Sequence, residues 1–509
     1  MNVASFPLFR KHRTGLSRML LALIIFVVVF LRLKAFLHGN SLMIDEANVA
    51  MNIAERNFWG LWQPLDYEQY APPLFLTGVK LSTFIFGMNE YALRAPALIS
   101  SFMSVYLIVR LCRQSWIQLP YLYIGIVLIL FGISHIMIFQ SDLLKQYTTD
   151  AMLSLLFILV TLKYHYSFIL TRKGILFWTL LGSAAIWTSM PSVFVLGSIG
   201  MYYLYQSAQD KKASALLPYL SIPVLIWIAQ FLFYFFTILK SDAESDYLQS
   251  YHEQYFFDYA LWQKESWIQN SKIISGLIQV FIGKTVIVFI WVGITAVAGI
   301  ISMAKNKAGV LILLIFPGIC AVVASLLHYY SFIPRLLIFF APLFFILMAI
   351  GLRALWNSAG TPGRTLLLLS TLFVGAQMSG WKYMLPENHC LIAETREVLD
   401  EIALPADSSF AVFVNHSGAP TLRFYTLYHD QKIKYQPFVG FRHINWDEDI
   451  VAESRSFLNR NPERHLLVLW GNEQNKVIQK QVNDLKSGDV VVNQDIEKTM
   501  ARGIEVVSK

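Results

Sequence analysis

Three short polar groups interrupt an otherwise apolar sequence, and each has residue types suited to group-transfer chemistry. The first is the adjacent pair Asp45-Glu46. A carboxylate pair beside a membrane is costly unless it is solvated or partnered. As a general base, Asp45 takes the proton of an acceptor hydroxyl or amine. As a capping element, the pair opens a helix over residues 47–57, where acids favour the positive end of the dipole. The two readings are compatible, because a capping geometry also fixes the carboxylate. The second group is the connector 140–150, with Lys145, Tyr147 and Asp150. It reads either as a cation, a phenol and a carboxylate that hold phosphate or sugar hydroxyls, or as interfacial anchors and a helix cap. The third runs from His328 to Arg335. An arginine heading an apolar helix needs an anion or carbonyl partner; it either snorkels to lipid headgroups or clamps a phosphodiester. His328 reads as an interfacial histidine or, with Glu46, as a ligand of a divalent metal ion. No other cofactor is implied.

An apolar scaffold has to position these groups. Of 509 residues, 56% are hydrophobic and 15% charged, and the mean hydropathy is +0.50. That is enough apolar sequence for roughly ten spans. Cys112, Cys320 and Cys390 lie far apart with no CxxC or CxxH spacing, which excludes a disulfide framework and a cysteine-ligated zinc site. The net charge of +8 sits in small clusters between apolar runs, the pattern of membrane orientation and not of nucleic-acid binding.

Eleven stretches read as membrane spans: 19–31, 92–112, 119–139, 148–167, 174–190, 192–205, 213–236, 285–303, 308–330, 334–352 and 365–383. Arg10, Lys11, Arg13 and Arg18 place the N-terminus on the cytoplasmic side, ahead of an uncleaved first helix. An odd number of spans then places the C-terminus outside. Arg32 and Lys34, at the far end of the first span, run against the positive-inside trend.

Outer loop 38–94 is expected to hold a short interfacial or re-entrant helix over 74–86. Outer loop 237–284 is acidic, with Asp242, Glu244 and Asp246 among its residues. After Pro386 the sequence turns polar. Strand-like runs at 410–414, 432–438, 466–469, 490–492 and 504–507 alternate with helical patterns at 392–402, 422–429 and 476–485, which predicts a small α/β domain. The expected fold is a polytopic α-helical membrane protein of about eleven spans plus interfacial helices. Residues 1–385 form its membrane domain and 386–509 an extracytoplasmic α/β domain.

The order of these features resembles a known class. Ile44-Asp45-Glu46-Ala47, Pro72-Pro73-Leu74-Phe75, Leu93-Arg94-Ala95-Pro96, Lys145-Gln146-Tyr147-Thr148-Thr149-Asp150, Trp187–Pro191 and Pro334-Arg335 follow the order seen in GT-C membrane glycosyltransferases. That class includes protein O-mannosyltransferases and lipid A aminoarabinose transferases. The resemblance covers most of residues 15–385. It implies a polyprenyl-phosphate-linked sugar donor, a lipid, glycan or protein acceptor, and inverting transfer at the outer face of a bacterial inner membrane. It also implies that Asp45 is the base, that Glu46, Lys145, Tyr147 and Asp150 line the site, and that Arg335 lies on the donor phosphate. Tyr70-Ala71 and Asp142 stand where many members carry basic residues, which shifts the phosphate load to Lys145 and Arg335. The rival reading is a transporter or flippase of lipid-linked saccharides, which would want charged or helix-breaking residues at mid-membrane.

Overall fold

The computed structural model describes residues 7–240, 246–260, 262–390, 393–403 and 410–509. Asp242 and Glu244 of the acidic loop lie outside them. The chain divides into two compact units. One comprises Met1–Lys34, Ala71–Phe75 and Pro96–Asn388; the other comprises Ala35–Tyr70, Leu76–Ala95 and His389–Lys509.

The chain opens with α1 (Pro7–His38), α2 (Ile44–Glu55), α3 (Pro73–Phe86) and α4 (Glu90–Cys112). There follow α5 (Tyr121–Gly132), α6 (His135–Phe139), α7 (Tyr147–Lys163), α8 (Arg172–Thr188), α9 (Ser192–Gln209) and α10 (Ala213–Tyr234). Two helices the sequence reading did not anticipate, α11 (Asp246–Glu253) and α12 (Lys264–Phe281), fill the expected outer loop 237–284. The membrane part closes with α13 (Val286–Asn306), α14 (Ala308–Leu326), α15 (Ala341–Ser358) and α16 (Thr361–Ala376).

All eleven expected span positions are helical. Among the described residues, six helices are long and apolar enough to cross a membrane, and seven if α5 and α6, bent by 69° at their junction, count as one broken span. The other four, α7, α8, α9 and α16, are shorter or more polar than that. The 17 residues of α7 reach roughly 25 Å at 1.5 Å per residue, against ~30 Å of hydrocarbon. The expected span 334–352 is also divided: Pro334–Leu337 forms a separate 3-10 turn, and α15 starts only at Ala341. α15 packs closely on α13, where a Cβ on Gly299 would strike the Leu347 carbonyl and one on Gly351 the Thr295 carbonyl. Glycine is required at both positions for the backbones to approach.

The two misplaced cations now have a physical account. Arg32 is fully buried. Its guanidinium donates to Ser101 Oγ at 2.7 Å, to the Val28 carbonyl at 3.1 Å and to the Gly132 carbonyl at 3.0 Å. The Gly132 carbonyl is one of those left open at the end of α5, so Arg32 caps that helix at its break. Lys34 donates to the carbonyls of Tyr383, Leu385 and Asn388. Both cations serve backbone oxygens and do not orient the chain.

In the other unit, β1 (Ala411–Asn415), β2 (Arg442–Ile444), β3 (Leu466–Gly471), β4 (Val490–Lys498) and β5 (Ala501–Ser508) form one sheet in the order β2-β1-β3-β5-β4. β1 is parallel to β2 and β3, and β5 is antiparallel to β3 and β4. The helices here are α17 (Thr395–Glu401), α18 (Ala419–Leu427), α19 (Ile450–Arg460) and α20 (Asn475–Lys486). Phe413, Leu466, Val468, Trp470, Val482 and Ile504 anchor its core. The run 432–438, expected as a strand, is a 3-10 turn that buries Tyr435 and Phe438. Pro437 cannot donate to a ladder, and burial at a spacing of three suits the 3-10 period. β2 and α19 were not anticipated. β2 is only three residues long, and α19 is started by Asp449, whose carboxylate accepts the Val451 N–H at 2.9 Å.

β4 and β5 carry two charge clusters. Burial raises the Asp495 carboxyl, but Arg502, at 2.7 and 2.8 Å, and Lys486, at 2.6 Å, hold it below its ordinary value. Burial likewise opposes ionisation of Glu505, and His465, Gln494 and Asn493 outweigh it. Groups depressed in the folded state contribute stability above the ordinary carboxylate range and lose it as pH falls through their folded values. Amide hydrogen exchange of residues 490–508 should therefore show full protection at neutral pH and progressive loss below about pH 4. Asp495→Asn should flatten that dependence.

Candidate active site

The helix that carries the first carboxylate pair starts three residues earlier than its apolar spacing suggests. It begins at Ile44 with Met43 as cap, so Asp45 and Glu46 both lie in its first turn. Glu46 accepts the Met43 N–H at 3.1 Å, satisfying one of the donors a helix start leaves open. The rest of the helix is held by a buried face that includes Ala47, Ala50, Met51 and Ile53.

The two acids have opposite surroundings. Glu46 is 1% exposed and receives both prongs of Arg94, itself 1% exposed: Nε to Oε1 at 2.9 Å and Nη2 to Oε2 at 2.7 Å. Arg94 also donates to the carbonyls of Asn40, at 2.8 Å, and Ser41, at 3.1 Å. Asp45 is half-buried and makes no hydrogen bond or ion pair among the described residues. Of two adjacent carboxylates, one is committed to structure and the other is not.

In the other unit, α7 is pinned to α4 by its first turn. Thr148 donates to the Ala97 carbonyl at 2.8 Å, and the Thr149 and Ser100 hydroxyls lie 2.9 Å apart. This turn presents Tyr147 and Asp150. Asp150 is buried, is hydrogen-bonded by Ser189 at the end of α8, and keeps Oδ1 without a partner. The Tyr330 phenol lies within electrostatic reach of both Asp150 and Tyr147 and donates to the Leu336 carbonyl at 2.7 Å. Tyr147, Asp150, Ser189 and Tyr330 thus form one cluster. Lys145 is half-buried in the turn just before α7.

Arg335 is half-buried on the 3-10 turn between α14 and α15. Its electrostatic neighbour is His252 of α11, whose Nδ1 lies 2.6 Å from Ser331 Oγ. Burial and the Arg335 cation push His252 below its ordinary value, so near neutral pH an uncharged imidazole stands beside the guanidinium. His328 is exposed, has a left-handed backbone (φ +61°) and stacks on Phe256 at 4.8 Å. Neither metal candidate presents a ligand set. Both oxygens of Glu46 are engaged by Arg94, and among the described residues no group of three or more His, Cys, Asp or Glu gathers to hold a metal ion. The same unit contains an apolar cleft of about 490 Å³, lined by Leu196, Met201, Leu220, Trp227 and Phe231 among others.

Arg94, Ser189, Tyr330 and His252 received no individual role from the sequence. Arg94 and Ser189 lie in the quoted motifs Leu93–Pro96 and Trp187–Pro191. Tyr330 and His252 carry no spacing signal, because their partners lie on other helices.

No protein-family model matches the sequence, and no curated protein matches it. Among solved structures, the chain is similar to ArnT from Cupriavidus metallidurans bound to undecaprenyl phosphate, with 12% identity and a TM-score of 0.50. The match covers 97% of this chain and 98% of that one. ArnT in the apo state gives 12% identity and a TM-score of 0.49 over the same shares. The oligosaccharyltransferase of Archaeoglobus fulgidus in complex with Zn and sulfate gives 13% and 0.45, over 88% of this chain and 67% of that one. At such identities the likeness is one of fold. The chain shares the polytopic helical fold of ArnT over nearly its whole length.

The division of labour between the two carboxylates is testable. Glu46→Gln leaves a buried Arg94 without its counter-ion and should cost about 3–5 kcal/mol, read as a lower thermal midpoint in detergent. Asp45→Asn should leave that midpoint unchanged within error.

Proposed function

We propose that this protein is an integral-membrane glycosyltransferase. It moves a sugar from a polyprenyl-phosphate donor to a lipid, glycan or protein acceptor at the outer face of a bacterial inner membrane. The observation that carries the reading is the open carboxylate of Asp45 beside a fully committed Glu46. The fold, shared with a protein crystallised with undecaprenyl phosphate, supports it by analogy. The apolar cleft between α9 and α10 suits an isoprenoid chain.

In this reading the acceptor oxygen or nitrogen attacks the anomeric carbon while the bond from that carbon to the phosphate oxygen breaks, inverting the configuration. Asp45 takes the acceptor's proton. The polyprenyl phosphate departs with the bonding electrons, and Arg335 and Lys145 offset its growing charge. Tyr147 and Asp150 serve donor or acceptor hydroxyls. The N-terminus is cytoplasmic and residues 386–509 are periplasmic.

Membranes containing the protein, incubated with labelled polyprenyl-phosphate sugars, should transfer label to an endogenous acceptor. Asp45→Asn should abolish transfer at matched protein levels, because the amide cannot take the proton. Comparable activity in that variant and wild type would reduce Asp45 to a helix-capping residue. Arg335→Lys should lose part of the turnover at saturating donor, since the charge stays and the two-pronged fork goes. Arg335→Ala should lose most of it, whereas an arginine that only anchors to lipid would be replaced by Lys with no loss.

Topology is checked separately. Cys390 is buried and makes a poor reporter. Trp446 is 71% exposed, and Trp446→Cys should react with a membrane-impermeant maleimide from the periplasmic side. Reaction only after the inner membrane is opened would reverse the orientation.

A further inference from the structure

Residues 39–43 join α1 to α2 without regular structure, so their backbone groups need side-chain partners. Nearly all come from two places. Arg94 takes the carbonyls of Asn40 and Ser41. The rest come from residues more than 340 positions further along the chain, in the same unit. Arg396 Nη2 donates to the Gly39 carbonyl at 2.6 Å, and the Arg396 N–H donates to Ser41 Oγ at 2.9 Å. Ser41 Oγ donates in turn to Glu397 Oε2 at 2.6 Å. The Leu42 N–H donates to the Tyr425 phenol at 3.2 Å, and Thr421 Oγ1 donates to the Leu42 carbonyl at 3.1 Å. Gly39 has φ +67°, and a Cβ there would strike the Tyr91 phenol at 2.6 Å, so only glycine fits the start of the turn.

The groups that hold this turn are themselves fixed by one buried acid. Glu90, 2% exposed, receives Arg396 Nη1 at 2.5 Å and the Tyr425 hydroxyl at 2.8 Å, and lies 3.1 Å from His429 Nε2. Burial disfavours the Arg396 cation, but Glu90, Tyr425 and Glu397 outweigh this and hold it above its ordinary value. The clamp is therefore charged throughout the physiological range. Thr421 and Tyr425 project from α18, which follows the carboxyl end of β1. In open sheets of parallel strands that end is where ligands dock; here the unit's own chain, two residues before α2, occupies the position.

We propose that Arg396, Tyr425 and Thr421 are positioning residues for Asp45. The C-terminal region grips the turn at 39–42 and so sets the place and angle of the first turn of α2, where the open carboxylate stands. The inference rests on the reading of Asp45 as the base. It assigns the C-terminal region a part in turnover, and not only in holding an acceptor. A base displaced by about 1 Å loses on the order of a hundredfold in rate, so loosening single bonds of the clamp should show in turnover before it shows in folding.

The test uses the full-length protein in lipid-supplemented detergent. Tyr425→Phe and Thr421→Val each remove one hydroxyl; Arg396→Lys keeps the charge but loses the fork. Each should lower kcat by about three- to tenfold with donor KM unchanged within about twofold. A second readout does not depend on activity. In an Asp45→Cys protein, the rate of maleimide modification at position 45, located by peptide mapping, should change by about threefold or more when Tyr425→Phe or Thr421→Val is added. Unchanged labelling together with unchanged kcat in folded Tyr425→Phe and Thr421→Val proteins would overturn the proposal, whatever becomes of Arg396→Lys. Altered labelling, with transfer indifferent to every Asp45 substitution, would instead uphold the clamp and remove the catalytic reading of Asp45.

Discussion

The start of α2 depends on the buried, two-pronged pair of Arg94 and Glu46. A desolvated ion pair holds only when its geometry is good and the remaining donors and acceptors are met. Both conditions are satisfied here. The guanidinium that grips Glu46 also reaches the carbonyls of Asn40 and Ser41, and Glu46 takes the Met43 N–H that a helix start leaves open. One pair thus sets where α2 begins, what course the preceding turn takes and which of two neighbouring acids remains uncommitted. The open state of Asp45 follows from the engagement of Glu46.

The same rule, that a buried charge must be met, accounts for the oddities of the membrane unit. Arg32 stands where orientation rules would not put it, yet it supplies donors to the end of α5, where the break into α6 leaves carbonyls open. Lys34 does the same for the carbonyls of Tyr383 and Asn388. With these cations spent on backbone oxygens, the remaining basic clusters keep the distribution expected of a polytopic protein. Near Arg335 the balance is struck differently: burial and the guanidinium both disfavour a second positive charge on His252.

Two elements of the C-terminal region show where local pattern misleads. The run 432–438 alternates in sequence like a strand but contains Pro437, and it folds as a 3-10 turn. α19 packs Ile450, Val451, Phe457 and Leu458 against the core, and the side chain of Asp449 caps its start. The first outcome follows from a missing donor and the second from a single cap, and average propensity contains neither.

The sequence by itself determined that this is a polytopic helical membrane protein ending in an α/β region, because apolar run length and period are local properties. It also singled out Asp45, Glu46, Lys145, Tyr147, Asp150 and Arg335, since polar residues at the ends of apolar helices are conspicuous wherever they occur. Only the tertiary structure decided what each of them faces. Glu46 and Arg94 are 48 positions apart, Tyr425 and Leu42 are 383, and His252 meets Arg335 across a loop that had shown no pattern. Spacing along one helix constrains neighbours three or four residues away. It says nothing of which distant donor will satisfy a given oxygen, and that choice separates the structural carboxylate from the open one.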